Sequence, residues 1–245
     1  MSDVDPNTTI LVGKDVPIND ISETLIQHNC NHFVQEDNPD FYYDILASVL
    51  FLRQPQDILK NPKPLLIASL RGIPEQDEES RSQTFPFSAY SDKTRILKEL
   101  RRFLEDSDKT SSVIPHVLVL ADELLSYSLF TAPKMSGMTT ESKGKFFALH
   151  DKERLIVGCQ DNFGIYDRDG FLGNLNAASQ MQSGVMISSD QPEVVSLKLI
   201  LENSSSIYLL VNPGVKSIIT CAVPLGVGYG KLRDTAKNIH MSFTD

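Results

Sequence analysis

From residue 91 onward, the sequence predicts the same order of helices and strands twice. This order is the feature that most restricts the folds open to the chain. Apolar residues recur there either at three- and four-residue steps, typical of helices, or in short runs, typical of buried strands. The predicted elements are helices over 91–105 and 113–130, strands over 145–150 and 154–160, helices over 170–181 and 192–201, and strands over 206–211 and 217–223. Two helices followed by two strands, given twice, predict an α/β fold: a two-layer α/β sandwich with a mixed sheet covered on one face by helices.

The first seventy residues predict a smaller N-terminal α/β segment whose role the sequence does not indicate. Strand patterns over 9–12 and 64–70 enclose two helical patterns. Residues 71–90 are polar and acidic, which predicts an acidic linker or mobile loop. The chain therefore divides into three predicted parts, namely 1–70, 71–90 and a larger domain over 91–245.

Composition narrows the function classes. The formal net charge is −9, so a polyanion is repelled in general and nucleic-acid binding is not expected. The densest basic patch, Lys98, Arg101 and Arg102, indicates the solvated face of a helix. No apolar run reaches the roughly 18 residues that a membrane span needs, and the acidic N-terminus is unlike a secretory signal. We therefore expect a cytoplasmic protein that does not enter a membrane, with its three cysteines reduced.

Two local patterns suggest sites but fail on spacing. His28 and His32 lie four residues apart, yet no second cluster of ligands accompanies them, so no metal site is predicted. The glycines between Gly226 and Lys231 lack the spacing of a phosphate-binding loop, and Leu232 stands where such a loop needs Ser or Thr. This stretch predicts a flexible exit from the last strand.

A third pattern is spread over the larger domain. An apolar helix carries the acidic pair Asp122-Glu123 and ends in a loop at Pro133, and a later strand ends in Asp161-Asn162-Phe163-Gly164. In the order of these motifs, residues 91–225 resemble the histidine-kinase-like ATPase superfamily. The resemblance is closest to stand-alone bacterial regulatory proteins of the anti-sigma-factor-kinase type, and it covers somewhat over half of the chain.

The resemblance implies roles for five residues. Glu123 matches the acid that activates the attacking group, whereas Tyr127 stands where the family has the Asn that holds Mg²⁺. A phenol is a poor ligand for this ion and fills the space that it needs. Asp161 matches the acid that accepts a hydrogen bond from adenine, and Gly164 is displaced by one position from the usual glycine. The candidate cofactor-binding residues are therefore Asp161, Gly164, Tyr127 and Ser196.

The family's glycine-rich phosphate loop is the clearest departure. Residues 191–196 carry a proline, an acid and two valines where bare backbone amides would bind phosphate at a helix N-terminus. Glu193 would repel a phosphate there. No cofactor is therefore firmly expected, and any binding of ATP with Mg²⁺ is predicted to be weak or absent.

Three functions stay open at this stage. The first is a regulator of the pseudokinase kind that binds a protein partner in a signalling pathway, with a homodimer as a further alternative. The second is an active, divergent ATP-dependent serine/threonine kinase or ATPase, with Glu123 as its base and Asp161 as its adenine anchor. The third is a structural or assembly protein, which follows if the resemblance itself is misleading.

Overall fold

One mixed sheet organises the molecule. The computed structural model describes residues 8–62, 81–106, 111–137, 143–151, 153–181, 192–226 and 229–244. Within them the strands are β1 (Leu11–Gly13), β2 (His32–Gln35), β3 (Arg81–Phe87), β4 (Gly144–His150), β5 (Arg154–Asp161), β6 (Ser206–Asn212), β7 (Lys216–Pro224) and β8 (Asn238–Phe243). They form an eight-stranded sheet in the order β1-β2-β8-β6-β7-β5-β4-β3. The pairs β1–β2 and β6–β8 are parallel, and the other pairs are antiparallel.

The helices pack on both faces of this sheet. They are α1 (Ile18–Gln27), α2 (Phe41–Arg53), α3 (Pro55–Lys60), α4 (Asp92–Glu105), α5 (Ile114–Ser126), α6 (Ala132–Ser136), α7 (Arg168–Gln180), α8 (Pro192–Glu202) and α9 (Tyr229–Asp234). Apolar side chains of α1, α4, α5, α7 and α8 share one large core with residues such as Val157 and Leu209. Their neighbours along the strands, Ile156 and Tyr208, point to the opposite face, because successive side chains of a strand alternate.

The predicted α/β class is confirmed, and the N-terminal segment adds a second, smaller layer. Ala47 and Phe51 of α2, together with Ile58 and Leu59 of α3, form a separate buried cluster with the strand residues of the opposite face. The N-terminal segment also contributes strands β1 and β2 to the same sheet as the larger domain. The N-terminal segment therefore contacts the region 91–245 in two ways, through the α2–α3 cluster and through its strands in the common sheet.

Several elements of the structure, among them strand β2 and helix α3, were not predicted from the sequence. Residues Arg81–Phe87, inside the predicted acidic linker, form edge strand β3, which pairs with β4 along its whole length. The polar tail after Gly226 contains α9 and β8, and β8 lies between β2 and β6. The strand predicted over 64–70 lies outside the described residues.

The helix predicted over 113–130 takes an unexpected path at its end. Helix α5 stops at Ser126, and residues Tyr127–Thr131 continue as a π-helical turn that leads directly into α6. The N–H of Ala132 donates to the carbonyl oxygen of Tyr127, five residues back. Pro133, in the first turn of α6, therefore does not begin a loop as predicted. Such π-helical turns are rare and frequently lie at functional sites.

Candidate functional site

Asp161, the predicted adenine anchor, is buried and satisfied by the protein itself. It ends β5 and is 2% exposed. The hydroxyl of Ser217 on β7 donates to both carboxylate oxygens, at 2.9 and 2.8 Å, and the backbone N–H of Phe163 donates to Oδ1 at 3.0 Å. Burial raises the pKa of this carboxyl, and these donors oppose the shift. The acid closes a turn and links two neighbouring strands, so its oxygens are already engaged.

Gly164 follows in a left-handed conformation that its neighbours require. Its φ is +59°, a region that residues with a Cβ rarely adopt. A Cβ here would overlap the carbonyl oxygen of Asn212 and would lie 2.9 Å from the backbone nitrogen of Gly214. The carbonyl oxygen of Gly164 in turn accepts a hydrogen bond from that nitrogen at 3.0 Å. The glycine therefore lets the chain approach the β6–β7 turn, and this contact accounts for it without a bound base.

Aromatic side chains occupy the space beside Asp161. The ring of Tyr127, the first residue of the π-helical turn, stacks on the ring of Tyr166 with centroids 4.4 Å apart and an interplanar angle of 14°. Phe163 packs with them in a small buried cluster that also contains Ala132. Burial raises the pKa of both phenols, so they remain neutral. A stacked pair of this kind contributes attraction beyond the area that it buries.

Glu123, the predicted base, is bonded to another predicted site residue. The hydroxyl of Ser196, on α8, donates to Oε2 of Glu123, on α5, in a short hydrogen bond. This bond ties the two helices together. The carboxylate faces the groove between α4, α5 and α8 and lines it with Leu199 and Lys98. Its bonded partner is thus a serine of the protein, and Asp161 lines neither this groove nor the cavity described next.

A small cavity lies between the Tyr127–Tyr166 stack and Ser196. Its volume is about 150 Å³, and its walls include Tyr127, Tyr166, Ser196, Asp167 and Glu193. Pockets for cofactors and drug-sized ligands span about 300–1,000 Å³, so this cavity is smaller than such a ligand requires. Two carboxylates also face it. An anionic phosphate would meet negative charge there, and none of the described residues that line the cavity is basic.

The five predicted site residues thus form one group of three and one group of two, with different surroundings. Glu123 and Ser196 are brought together by their hydrogen bond, and Tyr127 shares the wall of the small cavity with Ser196. Asp161 and Gly164 lie at the end of β5 and contact the β6–β7 hairpin. Two residues that complete this arrangement, Tyr166 and Ser217, were missed, because neither belongs to a motif and only their place in the fold brings them to the site.

A second buried polar cluster holds α2 against the sheet. Asp44 of α2 accepts hydrogen bonds from the Ser206 hydroxyl at 2.6 Å, from the Tyr208 hydroxyl and from the Asn238 side-chain amide. Nε of Arg154 lies 2.7 Å from Oδ1 of the neighbouring Asp40. Three donors thus bind Asp44, and Arg154 is paired with Asp40, so this buried cluster anchors a helix.

The other candidates from the sequence are also placed by the fold. The ring of His32 is buried 5.7 Å from the ring of His240, and burial lowers the pKa of His32 to about 3. Cys30, Cys159 and Cys221 are buried and free. Across the described ranges, no group of three or more His, Cys, Asp or Glu side chains is arranged to hold a metal ion. Within the same ranges, no helix has the length and apolar character that crossing a membrane requires.

Comparison with known proteins adds no constraint to this geometry. Neither the models of known protein families nor the curated proteins contain a match to this chain.

Proposed function

We propose that this protein is a signalling regulator that acts by contact with a protein partner, on a kinase-like ATPase fold whose nucleotide pocket is filled by its own side chains. The single observation that carries the proposal is the Tyr127–Tyr166 stack beside a carboxylate, Asp161, that is already fully engaged. In this reading the aromatic pair takes the place of the purine and of the metal ligand.

The charges around the small cavity, where the resemblance would place the phosphates, support the same proposal. Phosphoryl transfer depends on cations and donors that neutralise the transferred group. Here the residues around the small cavity include Asp167 and Glu193, and the acid at the predicted base position is bonded to Ser196. A triphosphate would have to displace these contacts, and the described residues of the cavity wall would supply no compensating positive charge.

Turnover of radiolabelled ATP by the wild type and by Glu123→Ala tests the proposal against the enzyme alternative. We expect the same background release of phosphate from both proteins, because the Glu123 carboxylate is not presented to a nucleotide. Turnover by the wild type that Glu123→Ala removes would overturn the proposal and establish an active ATPase or kinase.

A further inference from the structure

A wide groove runs over the outer surface of the helical layer, on the side of the helices that faces away from the sheet. It lies between α4, α5 and α8 and has a volume of about 630 Å³. It is thus about four times larger than the cavity beside Tyr127. Each of the three helices contributes side chains to the groove. Other, buried side chains of the same helices belong to the large core.

The floor of this groove is apolar. Leu97 of α4, Leu118 of α5 and Leu199 of α8 line it, all partly exposed, and Val119 is 37% exposed. Scattered apolar residues are normal on a protein surface, whereas a continuous apolar strip with a charged rim is typical of an interaction site. The helices that form the groove are packed on the sheet by their opposite faces, and Leu97 and Leu118 contact that core while remaining partly exposed in the groove.

The rim of the groove carries opposite charges on its two sides. On α5, Asp122 forms an ion pair with Lys93 at 2.7 Å, whereas Glu123 accepts a hydrogen bond from the Ser196 hydroxyl, which leaves the charge of the carboxylate in place. On α4, the side chain of Lys98 is exposed and forms no ion pair or hydrogen bond with any residue that the structure describes.

Arg101, the other basic residue that α4 contributes to the rim of the groove, is only weakly paired. Arg101 lies 3.7 Å from Glu105, and both side chains are more than half exposed. Such an exposed pair contributes little. The available charge along α4 is therefore positive, although the chain as a whole has a net charge of −9.

We propose that this groove binds an amphipathic helix of a partner protein, with apolar residues on the floor and Asp or Glu side chains along Lys98 and Arg101. A helix is the form that presents an apolar strip and a charged edge together, and helices commonly bind grooves of this kind through residues at i, i+3, i+4 and i+7. The assignment rests on the proposed function, since it names the surface through which such a regulator would act. It also gives a role to a basic patch that the sequence alone assigns to solvent.

The experiment uses a displayed library of helical peptides, about 18 residues long, with Leu fixed at the i, i+3, i+4 and i+7 positions and the flanking positions randomised. The library is selected on the full-length wild type and, separately, on the double variant Lys98→Glu/Arg101→Glu. The matched control is Arg53→Glu/Lys60→Glu, which changes the net charge by the same amount on exposed residues of α2 and α3, across the sheet from the groove. Thermal unfolding of each variant checks that the fold is retained.

We expect Asp and Glu to be enriched on one flank of the peptides selected by the wild type and by the control. The charge-reversed variant should select Lys and Arg at the same positions. In fluorescence anisotropy, the best acidic peptide should bind the charge-reversed variant at least about tenfold more weakly than the wild type, since two attractive contacts become repulsive. Val119→Glu should weaken the same peptide by placing a charge on the floor.

Equal selection by the wild type and the charge-reversed variant, or no selection by the wild type, would overturn the groove assignment. That result would leave the proposed function standing if ATP is not turned over. Turnover of ATP that depends on Glu123 would instead overturn the proposed function, whatever the peptides do.

Discussion

Replacement of Asp161 distinguishes a structural acid from an adenine-binding acid. In a nucleotide-binding protein this side chain would be available to a ligand, and its loss would lower affinity with a small effect on folding. Here its carboxylate accepts from the Ser217 hydroxyl and from the Phe163 backbone N–H in the interior. Asp161→Ala removes these acceptors and leaves both donors buried without a partner.

The structure sets the size of the effect. Hydrogen bonds to charged groups contribute about 1.5–3 kcal/mol each. The lower end applies here, because burial raises the pKa of Asp161 and thus offsets part of the gain from ionisation. Two bonds of this strength give an expected loss of about 3 kcal/mol in the free energy of unfolding. Asp161→Asn retains an acceptor of the same size, so its loss should be about 1 kcal/mol.

Urea denaturation followed by circular dichroism measures these losses. A double-mutant cycle with Ser217→Ala should give a coupling free energy of about 1–2 kcal/mol, because the two side chains share one interaction. If Asp161→Ala changes the free energy of unfolding by less than about 0.5 kcal/mol, the structural role assigned to this acid is wrong.

Three further predictions concern the surrounding fold. Asp44→Ala should cost about 4 kcal/mol in chemical denaturation, because it breaks a buried network around Arg154; a cost below 1 kcal/mol would argue against an anchoring role. Burial lowers the pKa of Lys237 to about 7 from 10.5, so between these values the folded protein has lost a proton that the unfolded chain retains, and stability should rise with pH by up to about 1.4 kcal/mol per unit. Lys237→Met should remove that rise, and an unchanged pH profile would refute the assignment. Gly164→Ala should lower the free energy of unfolding by more than about 2 kcal/mol through its positive φ and the overlap with Asn212, whereas an unchanged thermal midpoint would show that the turn can relax.

The strongly periodic elements were predictable from the sequence. Clear apolar patterns are present in helices α4, α5, α7 and α8 and in strands β4 to β7. The structure has these elements within a few residues of the predicted bounds. These patterns are local, and they also determine which face of each helix is buried. The α/β class follows from their order.

The elements that the sequence did not reveal depend on distant partners. Strand β8 contains Asn238 and His240, polar residues that are buried because they meet Asp44 and Ser48 from α2. Its sequence therefore resembles a polar tail. The same holds at the candidate site, where Tyr166 gains its significance only from stacking on Tyr127. The order of the motifs predicted Tyr127 and Asp161 as site residues, whereas the side chains that contact them could be identified only in three dimensions.

Isothermal titration calorimetry with ATP and ADP, each with and without Mg²⁺, tests the central claim most directly. We expect no binding by the wild type in the micromolar range. We expect measurable affinity only after Tyr127→Asn opens the space beside Asp161 and supplies an amide ligand for the ion. Micromolar binding of ATP by the wild type, lost in Asp161→Asn, would show that the pocket accepts a nucleotide and would contradict the account.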